Sequence, residues 1–246
     1  MDIIGVIPAR YKSTRLPGKP LADIHGKPMI WWVYQQAKKV DELDEVYVAT
    51  EDKRIKEVCE KYNMEVVLTS EGHATGTDRV AEVAQRISAD VYINIQGDEP
   101  LIDPEIIRQA IKPFLSNKRL QVTNLMSKIT DPVDVVNPTI PKVITNTSNE
   151  GIFLTRSACP SPKNALDVEY FKQVCVYGFT QEALKFFAET PRGKIELIED
   201  IEILRYIENH KRVQFIQVES DNVAVDTPSD LTKVRKIMEN TVSANE

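Results

Sequence analysis

Apolar and polar residues form alternating blocks along the first part of the chain, and these blocks predict strands and helices in turn. Short apolar runs predict buried strands, while longer segments with apolar residues three and four apart are typical of amphipathic helices. The predicted strands are Ile3–Pro8, Glu45–Thr50, Glu65–Thr69 and Asp90–Ile95. The predicted helices are Pro28–Lys39, Asp52–Tyr62, Thr77–Ile87 and Pro104–Leu115. This alternation predicts an α/β fold with a mostly parallel central sheet and helices on both faces.

The pattern changes between residues 121 and 180. Short β-like runs are separated there by loops with many prolines, which indicates an antiparallel or mixed, β-rich insertion. Beyond it, the pattern predicts helices at Gln181–Glu189, Ile198–Asn209 and Thr227–Met238 and a strand at Val213–Val218. No repeat or low-complexity segment interrupts the chain, so we expect a single domain over residues 1–246.

Composition narrows the class of protein. The chain has 246 residues, enough for a substantial core, and its net charge of −6 argues against general nucleic-acid binding. Cys59, Cys159 and Cys175 form no CxxC pair, which indicates reduced thiols rather than a zinc site or a disulfide framework. No stretch reads as a signal peptide or a membrane span, so we expect a cytoplasmic protein with no membrane partner.

A cluster of cations follows the first predicted strand. The stretch from residue 5 to 21 reads GVIPARYKSTRLPGKPL and contains Arg10, Lys12, Arg15 and Lys19. It is neither a P-loop nor a G-x-G-x-x-G turn. A loop that offers backbone N–H groups and several cations nevertheless suits a polyphosphate. A solvated basic loop is the alternative, and spacing alone leaves both interpretations open.

Two aspartates lie where predicted strands end. Asp98 follows the fourth strand and Asp226 precedes the last helix. Ligands of parallel sheets bind at the carboxyl ends of the strands, where two carboxylates could hold a divalent metal against phosphate oxygens. In isolation, a turn residue is the commoner interpretation of Asp98, and a neighbour of a helix N-cap is the commoner interpretation of Asp226. His73 lies in a loop that leads to the helix carrying Thr77, so it is a further candidate.

Six stretches carry a family resemblance that runs in order from residue 3 to about residue 237. They read IPARYKSTRLPGKPL, GKPMI, VATEDKRI, TSEGHATGTDRVAEV, NIQGDEPLIDPEII and VDTPSDL. Together they closely resemble the 3-deoxy-manno-octulosonate (KDO) cytidylyltransferases, also called CMP-KDO synthetases. The resemblance implies a Rossmann-like nucleotidyltransferase fold whose insertion serves acceptor binding and homodimerisation. It also implies transfer of CMP from CTP to the anomeric hydroxyl of KDO, with release of pyrophosphate, in lipopolysaccharide or capsule sugar supply.

The resemblance further implies roles for individual residues. Arg10, Arg15 and Lys19 would grip the triphosphate, and Asp98 and Asp226 would bind Mg²⁺. The catalytic residues expected on this basis are Arg10, Lys19, Asp98 and Asp226. The expected nucleotide-binding residues are Ala9, Arg10, Ser13, Arg15, Lys19, Thr77 and Gln96. The expected acceptor-binding residues are Gln96, Arg156, Gln173, Tyr177 and Glu202.

The sequence departs from the family pattern in the segments expected to bind the acceptor. Gln173 stands where the family usually has histidine, Cys175 where it has glycine, and Ile203 where it has glutamine. Such changes could alter the preferred substrate, because a site built to hydrogen-bond hydroxyls discriminates strongly. They could equally be neutral at residues that do not reach the ligand. Arg156 favours an anionic acceptor: KDO, amino-KDO, another ulosonate, or a phosphorylated or phosphonate compound. A nucleotide-binding protein without catalysis is the remaining alternative.

Overall fold

The observed elements follow the predicted blocks closely in the first half of the chain. The computed structural model describes residues 1–164, 168–220 and 223–243. The strands are β1 (Ile3–Pro8), β2 (Asp23–Ile24), β3 (Lys27–Pro28), β4 (Glu45–Thr50), β5 (Val66–Leu68), β6 (Val91–Ile95), β7 (Val122–Lys128), β8 (Lys142–Thr145), β9 (Gly151–Thr155), β10 (Phe171–Thr180) and β11 (Gln214–Gln217). The helices are α1 (Met29–Ala37), α2 (Lys53–Lys61), α3 (Gly76–Arg86), α4 (Pro104–Ser116), α5 (Pro132–Val136), α6 (Gln181–Glu189), α7 (Lys194–Glu199), α8 (Leu204–Glu208) and α9 (Pro228–Ser243). A 3₁₀ turn covers Lys19–Leu21.

Nine strands of the described residues form one sheet. Its main path has the order β11-β7-β10-β6-β1-β4-β5, in which β10 alone runs antiparallel to its neighbours. β8 and β9 extend from the start of β10 as an antiparallel branch. The predicted α/β fold with a mostly parallel sheet is therefore confirmed.

The β-rich segment joins the central sheet more closely than the sequence pattern indicates. The second half of β10 pairs with β6, and β7 fills the place between β10 and β11. Only β8 and β9 lie off this path, and β8 joins it by pairing with the first residues of β10. One long strand of ten residues thus belongs to both the sheet and its branch.

Helices cover both faces because the strands are apolar on both faces. In β1, Ile3 and Ile7 pack in one core cluster, while Ile4 and Val6 pack in the other. The first cluster also contains apolar residues of α1, α2 and α4, and the second contains those of α3, α6 and α8. The alternation of side chains along a strand therefore divides the core into two layers. None of the described helices is long and apolar enough to cross a membrane.

The helix predicted over Ile198–Asn209 is wrong in extent. The structure has two short helices there, α7 and α8. Asp200 ends α7 in the left-handed region, with a φ of 51°. The apolar residues of this stretch, including Ile201, Ile203 and Leu204, still share one core cluster, which is why their spacing resembles that of a continuous helix.

A crevice arises where the chain changes direction across the sheet. From β1 the chain proceeds to β4 and β5 on one side, and it then returns to β6 on the other side of β1. Loops that leave the carboxyl ends of β1 and β6 therefore diverge. Ligands of open α/β sheets bind at such a switch point.

Candidate active site

A cavity of about 470 Å³ lies at the carboxyl ends of β1 and β6. Among the described residues that line it, six are arginine or lysine: Arg10, Arg15, Lys19, Arg79, Arg156 and Arg192. Five are acidic: Asp98, Glu99, Asp200, Glu202 and Asp226. In a chain with a net charge of −6, this local concentration of cations suits a small anion.

The loop after β1 is shaped by Tyr11 and Gly18. The Gly18 N–H donates to the Tyr11 carbonyl at 3.0 Å, which closes the loop. Gly18 has a φ of 69°, and a Cβ there would lie 3.2 Å from the Tyr11 ring, so glycine suits both the conformation and the space. The guanidinium of Arg54 stacks on the same ring at 3.3 Å. The 3₁₀ turn that begins at Lys19 follows directly and directs this lysine into the cavity.

Lys19 joins the two strand-end aspartates. Its Nζ donates to Asp98 Oδ2 at 2.7 Å and to Asp226 Oδ1 at 3.1 Å. Arg15 Nη2 lies 3.1 Å from the same Asp226 oxygen. Two carboxylates that are far apart in the chain therefore surround one cationic position.

Backbone pairing brings these aspartates together. The Val225 N–H donates to the Asp98 carbonyl at 2.8 Å, so Asp226 follows beside it. Asp226 then leads into α9, where Asp230 accepts hydrogen bonds from the backbone N–H groups of Asp226 and Thr227 and from the Thr227 hydroxyl. Burial acts to raise the pKa of Asp230, but these hydrogen bonds outweigh it and lower the pKa overall.

The donor set at this point matches a metal that takes further ligands from a substrate. No group of three or more His, Cys, Asp and Glu side chains in the described ranges could hold a metal ion. Mg²⁺ is commonly bound by one or two carboxylates, with waters and substrate phosphates completing the shell. Asp98 and Asp226 already converge on one ammonium and so fit this mode of binding.

The start of α3 forms another part of the wall. Thr75 caps the helix by accepting from the Asp78 N–H, and the Asp78 carboxylate accepts from the Thr75 N–H in return. The Thr77 N–H donates to Glu202 Oε2 at 3.1 Å. Burial raises the pKa of Glu202, although hydrogen bonds from Thr75 and Thr77 partly oppose it. Glu202 is thus an anchored carboxyl group that lines the cavity.

A bulge in β10 organises the opposite end of the cavity. The pairing of β10 with β7 shifts between Val174 and Tyr177. Asn124 fills the shift, because its Nδ2 donates to the Val174 and Val176 carbonyls at 2.9 and 3.0 Å. Its remaining oxygen accepts from Gln173 Nε2 at 2.8 Å, which orients the Gln173 amide.

Cys175 lies within the bulge and Tyr177 comes directly after it, and both line the cavity beside Gln173. Burial raises the pKa of the Cys175 thiol to about 12, so the thiol is neutral at physiological pH. Burial also raises the pKa of Tyr177 well above its ordinary value, and the neighbouring Cys175 raises it further. Both side chains therefore present uncharged polar groups to a ligand.

Arg156 lines the cavity but is already extensively hydrogen-bonded. Its guanidinium donates to the carbonyls of Pro138, Thr139, Glu199 and Asp200 at 2.6–3.2 Å. Its position therefore depends on two neighbouring chain segments.

A chain of buried ion pairs reaches from the cavity to α3. The Arg192 Nε donates to Glu196 Oε1 at 3.0 Å, and Glu196 also accepts two hydrogen bonds from Arg205. Arg205 Nη1 continues to Asp78 Oδ1 at 3.3 Å and stacks on Phe187. Glu196 and Arg205 are buried, and such pairs hold their geometry because breaking one leaves an unpaired buried charge.

The structure brings nearly all the predicted residues to this one cavity. The predicted residues that line it are Ala9, Arg10, Ser13, Arg15, Lys19, His73, Gln96, Asp98, Arg156, Gln173, Tyr177, Glu202 and Asp226. Thr77 is different: it is fully buried and lies behind Glu202 rather than at the cavity wall. Ile203 is also buried in the core and does not line the cavity, whereas Gln173 and Cys175 do.

Sequence reasoning missed two of the lining arginines. Arg79 lies in the stretch ATGTDRV, where its charge gave no separate signal; it donates to Thr69 Oγ1 at 2.6 Å and pairs with Glu51 at 2.8 Å. Arg192 comes from the loop between α6 and α7, away from any strand end. Its position on that loop carries no local motif.

The chain is similar in sequence and in fold to known proteins. A sequence profile of the cytidylyltransferase family matches residues 4–213. The chain is 41% identical to a 3-deoxy-manno-octulosonate cytidylyltransferase of Trichlorobacter lovleyi, over 97% of this chain and 99% of that protein. It is also 41% identical to one of Geobacter metallireducens, over 95% of this chain and 96% of the relative. Among solved structures, CMP:2-keto-3-deoxy-manno-octonic acid synthetase in complex with CTP is similar, with a TM-score of 0.94, 36% identity, and coverage of 98% of this chain and all of the other.

Proposed function

Since the chain belongs to the 3-deoxy-manno-octulosonate cytidylyltransferases, which are nucleotidyltransferases, we propose that it transfers CMP from CTP to the anomeric hydroxyl of KDO. Pyrophosphate is the second product. The observation that carries the proposal is the meeting of the Lys19 ammonium with Asp98 and Asp226. They meet in a cavity that also contains the polar groups expected to bind an acceptor.

The cationic loop provides the binding half of this reaction. Arg10, Arg15 and Lys19 all line the cavity and would bind the phosphates of CTP. Within the described part of the chain, Arg10 makes no hydrogen bond or ion pair, so its guanidinium is available to a phosphate. Transfer at an α-phosphorus depends mainly on positioning and charge neutralisation, and no side-chain nucleophile is needed.

Asp98 and Asp226 would hold Mg²⁺, whose ligand preferences they fit. When bound, this ion would neutralise phosphate charge and polarise the reacting centre. The aspartates themselves would fix its position relative to the loop after β1, because the Val225–Asp98 backbone bond ties them together.

A related acceptor is the second candidate, and one observation favours it. Three residues depart from the family pattern. Gln173 and Cys175 line the cavity, whereas Ile203 is buried and does not line it. The departures at positions 173 and 175 can therefore change the contacts to an acceptor. The acceptor would remain anionic in view of Arg156 and Arg192, and it would be KDO, amino-KDO, another ulosonate, or a phosphorylated or phosphonate compound.

We also propose that the protein is a homodimer. Exposed apolar residues occur on α5 (Val133 and Val136), on β9 (Ile152) and on α7 (Leu197 and Ile198). Arg156 directly follows β9, and its guanidinium donates to carbonyls just after α5 and at the end of α7, so the three elements lie close together. Among the described strands, β9 pairs only with β8, so one of its edges is open along most of its length. Such an edge and such side chains are stabilised when a partner covers them.

An acceptor panel tests the catalytic proposal directly. Purified protein is incubated with CTP and Mg²⁺ and with KDO, amino-KDO, a second ulosonate or a phosphonate in separate reactions, and pyrophosphate and the CMP-linked product are measured. We expect product with KDO that depends on CTP, Mg²⁺ and acceptor together. Faster turnover of another acid would support the second candidate. CTP binding without turnover of any acceptor would refute the catalytic proposal.

A further inference from the structure

The segment formed by residues 137–141 makes part of the cavity wall through Thr139 and Pro141. Each of its five consecutive carbonyl oxygens accepts a hydrogen bond from a group outside the segment: from Lys142, which directly follows it, or from residues further along the chain. Lys142 Nζ donates to the first and fourth, at Asn137 and Ile140, at 2.8 and 2.7 Å. Arg156 Nη1 donates to the second and third at 3.2 and 3.1 Å. The backbone N–H of Gln173 donates to the fifth, at Pro141, at 3.0 Å.

Lys142 is unusual because it is a buried cation that no carboxylate neutralises in the described ion pairs. The residue is fully buried, and its recorded side-chain hydrogen bonds go only to carbonyl oxygens. Burial lowers its pKa and the nearby Arg156 lowers it further, while the Glu199 and Asp134 carboxylates only partly oppose this shift. A buried ammonium must keep its hydrogen bonds, because losing them would leave a buried charge unsatisfied. Its bonds therefore hold residues 137–141 in place more firmly than a surface lysine would.

Arg156 connects the same segment to the end of α7. Its Nε donates to the Glu199 carbonyl at 2.6 Å and its Nη2 to the Asp200 carbonyl at 3.2 Å. The Glu199 carboxylate accepts in return from the Arg156 backbone N–H at 2.8 Å. Four of the five guanidinium N–H groups thus donate hydrogen bonds to carbonyls. A bidentate grip on a ligand carboxylate would require some of these bonds to break.

We propose that Lys142 and Arg156 are positioning residues: they hold residues 137–141 as a preformed wall of the acceptor-binding end of the cavity. This inference rests on the proposed cytidylyltransfer and goes beyond it, because Lys142 does not line the cavity and reaches an acceptor only through the segment. The link to the acceptor end is the Gln173–Pro141 hydrogen bond, since Gln173 is itself a lining residue.

The test replaces Lys142 by methionine, which keeps the length of the side chain but removes the ammonium. Lys128→Met is the matched control, because Lys128 is an exposed lysine of β7 that pairs with Glu169 at the surface. Steady-state kinetics are measured with CTP and acceptor varied separately. For Lys142→Met we expect the acceptor KM to rise by about tenfold or more, the loss typical of hydrogen bonds to a charged group, with the CTP KM within about twofold of wild type. An unchanged acceptor KM, or equal rises in both KM values, would overturn the inference.

A second measurement needs no turnover. Hydrogen–deuterium exchange of peptides covering residues 137–141 should be faster in Lys142→Met than in wild type and in Lys128→Met. Unchanged exchange contradicts the positioning role even if the protein has no cytidylyltransferase activity. A wild-type protein inactive toward every acceptor contradicts the proposed function instead, so the two failures are distinguishable.

Arg156→Lys decides the case if Lys142→Met does not fold. This variant keeps a positive charge but lacks the planar fork that spans residues 138, 139 and 200. The positioning role predicts faster exchange of residues 137–141 and a raised acceptor KM. Wild-type exchange together with a raised KM would show that Arg156 acts on the acceptor alone and would overturn the inference.

Discussion

Lys19 occupies the position between Asp98 and Asp226, at distances where opposite charges attract strongly. It is partly shielded from solvent, with 17% of its side chain exposed, which reduces screening of these contacts. Each carboxylate therefore has a partner before any substrate binds. Either aspartate can lose its charge without leaving Lys19 unpaired, because the other aspartate remains.

From this arrangement we expect Asp98→Asn and Asp226→Asn to remain folded and to lose turnover by about 10²–10³-fold, the range seen when one electrostatic stabiliser is removed. CTP binding should fall much less, because Arg10, Arg15 and Lys19 are retained. Pyrophosphate release and CTP titration measure the two effects. Asp41→Asn is the control, since the Asp41 side chain is 98% exposed and lies away from the cavity lining. Full activity of Asp98→Asn would remove Asp98 from the mechanism.

At this scale, the sequence was informative wherever a residue followed a strand. Asp98 could be placed at the cavity because parallel strands end at one edge of the sheet, whereas Gln96 was expected there only through the family resemblance. Thr77 does not lie at the cavity wall: Thr75, the N-cap of α3, lines the cavity, whereas Thr77 lies within the first turn of the helix and is buried. Arg192 could not be found, because its place depends on ion pairs with Glu196 and Asp200 rather than on a local motif.

Among the elements, β10 is the strand that connects the cavity to the core. Gly178 lies in its second half, opposite Ile93 of β6 and Thr123 of β7. A Cβ at Gly178 would lie 2.5 Å from both Phe114 Cε2 and Thr123 Oγ1. Helix α4 can approach the sheet here only because this position has no side chain.

We therefore expect Gly178→Ala to lower the free energy of unfolding by about 1–3 kcal/mol through overpacking. Thermal unfolding followed by circular dichroism measures the change. Gly72→Ala is the matched control: a Cβ at Gly72 would meet only Ser70 Oγ, at 3.6 Å, and its φ is not positive. Equal melting temperatures for the two variants would contradict the close packing of α4 on β10.

The parallel half of the fold could be predicted because each strand and helix carries its own apolar period. Four consecutive strand–helix predictions agree with β1, β4, β5 and β6 and the helices that follow them. The role of β10 could not be predicted in this way. Its neighbours β6 and β7 are chosen by packing between residues distant in sequence, and its bulge depends on the Asn124 side chain. The break between α7 and α8 likewise depends on tertiary contacts, since Arg156 binds the carbonyls of Glu199 and Asp200.

For the molecule as a whole, the proposed dimer can be tested by changing an exposed apolar residue of α7. Ile198 on α7 is 81% exposed. We expect Ile198→Glu to weaken self-association by about tenfold or more, because a charge would enter an apolar contact. Sedimentation equilibrium measures the change. Lys185→Glu, at an exposed position of α6, is the control for added negative charge. A wild-type protein that is monomeric at micromolar concentration would contradict the dimer, and an Ile198→Glu protein that associates like wild type would exclude this face of α7.

The Lys19–Asp226 contact joins residues 207 positions apart in the chain. During synthesis, therefore, the cationic loop and the central strands leave the ribosome well before the second aspartate does. A nascent chain at that stage can form early sheet pairings, but it lacks one of the carboxylates that surround Lys19. Translation itself thereby imposes an order on this enzyme: the cationic loop emerges early, and the Lys19–Asp226 contact can form only after most of the chain has been synthesised.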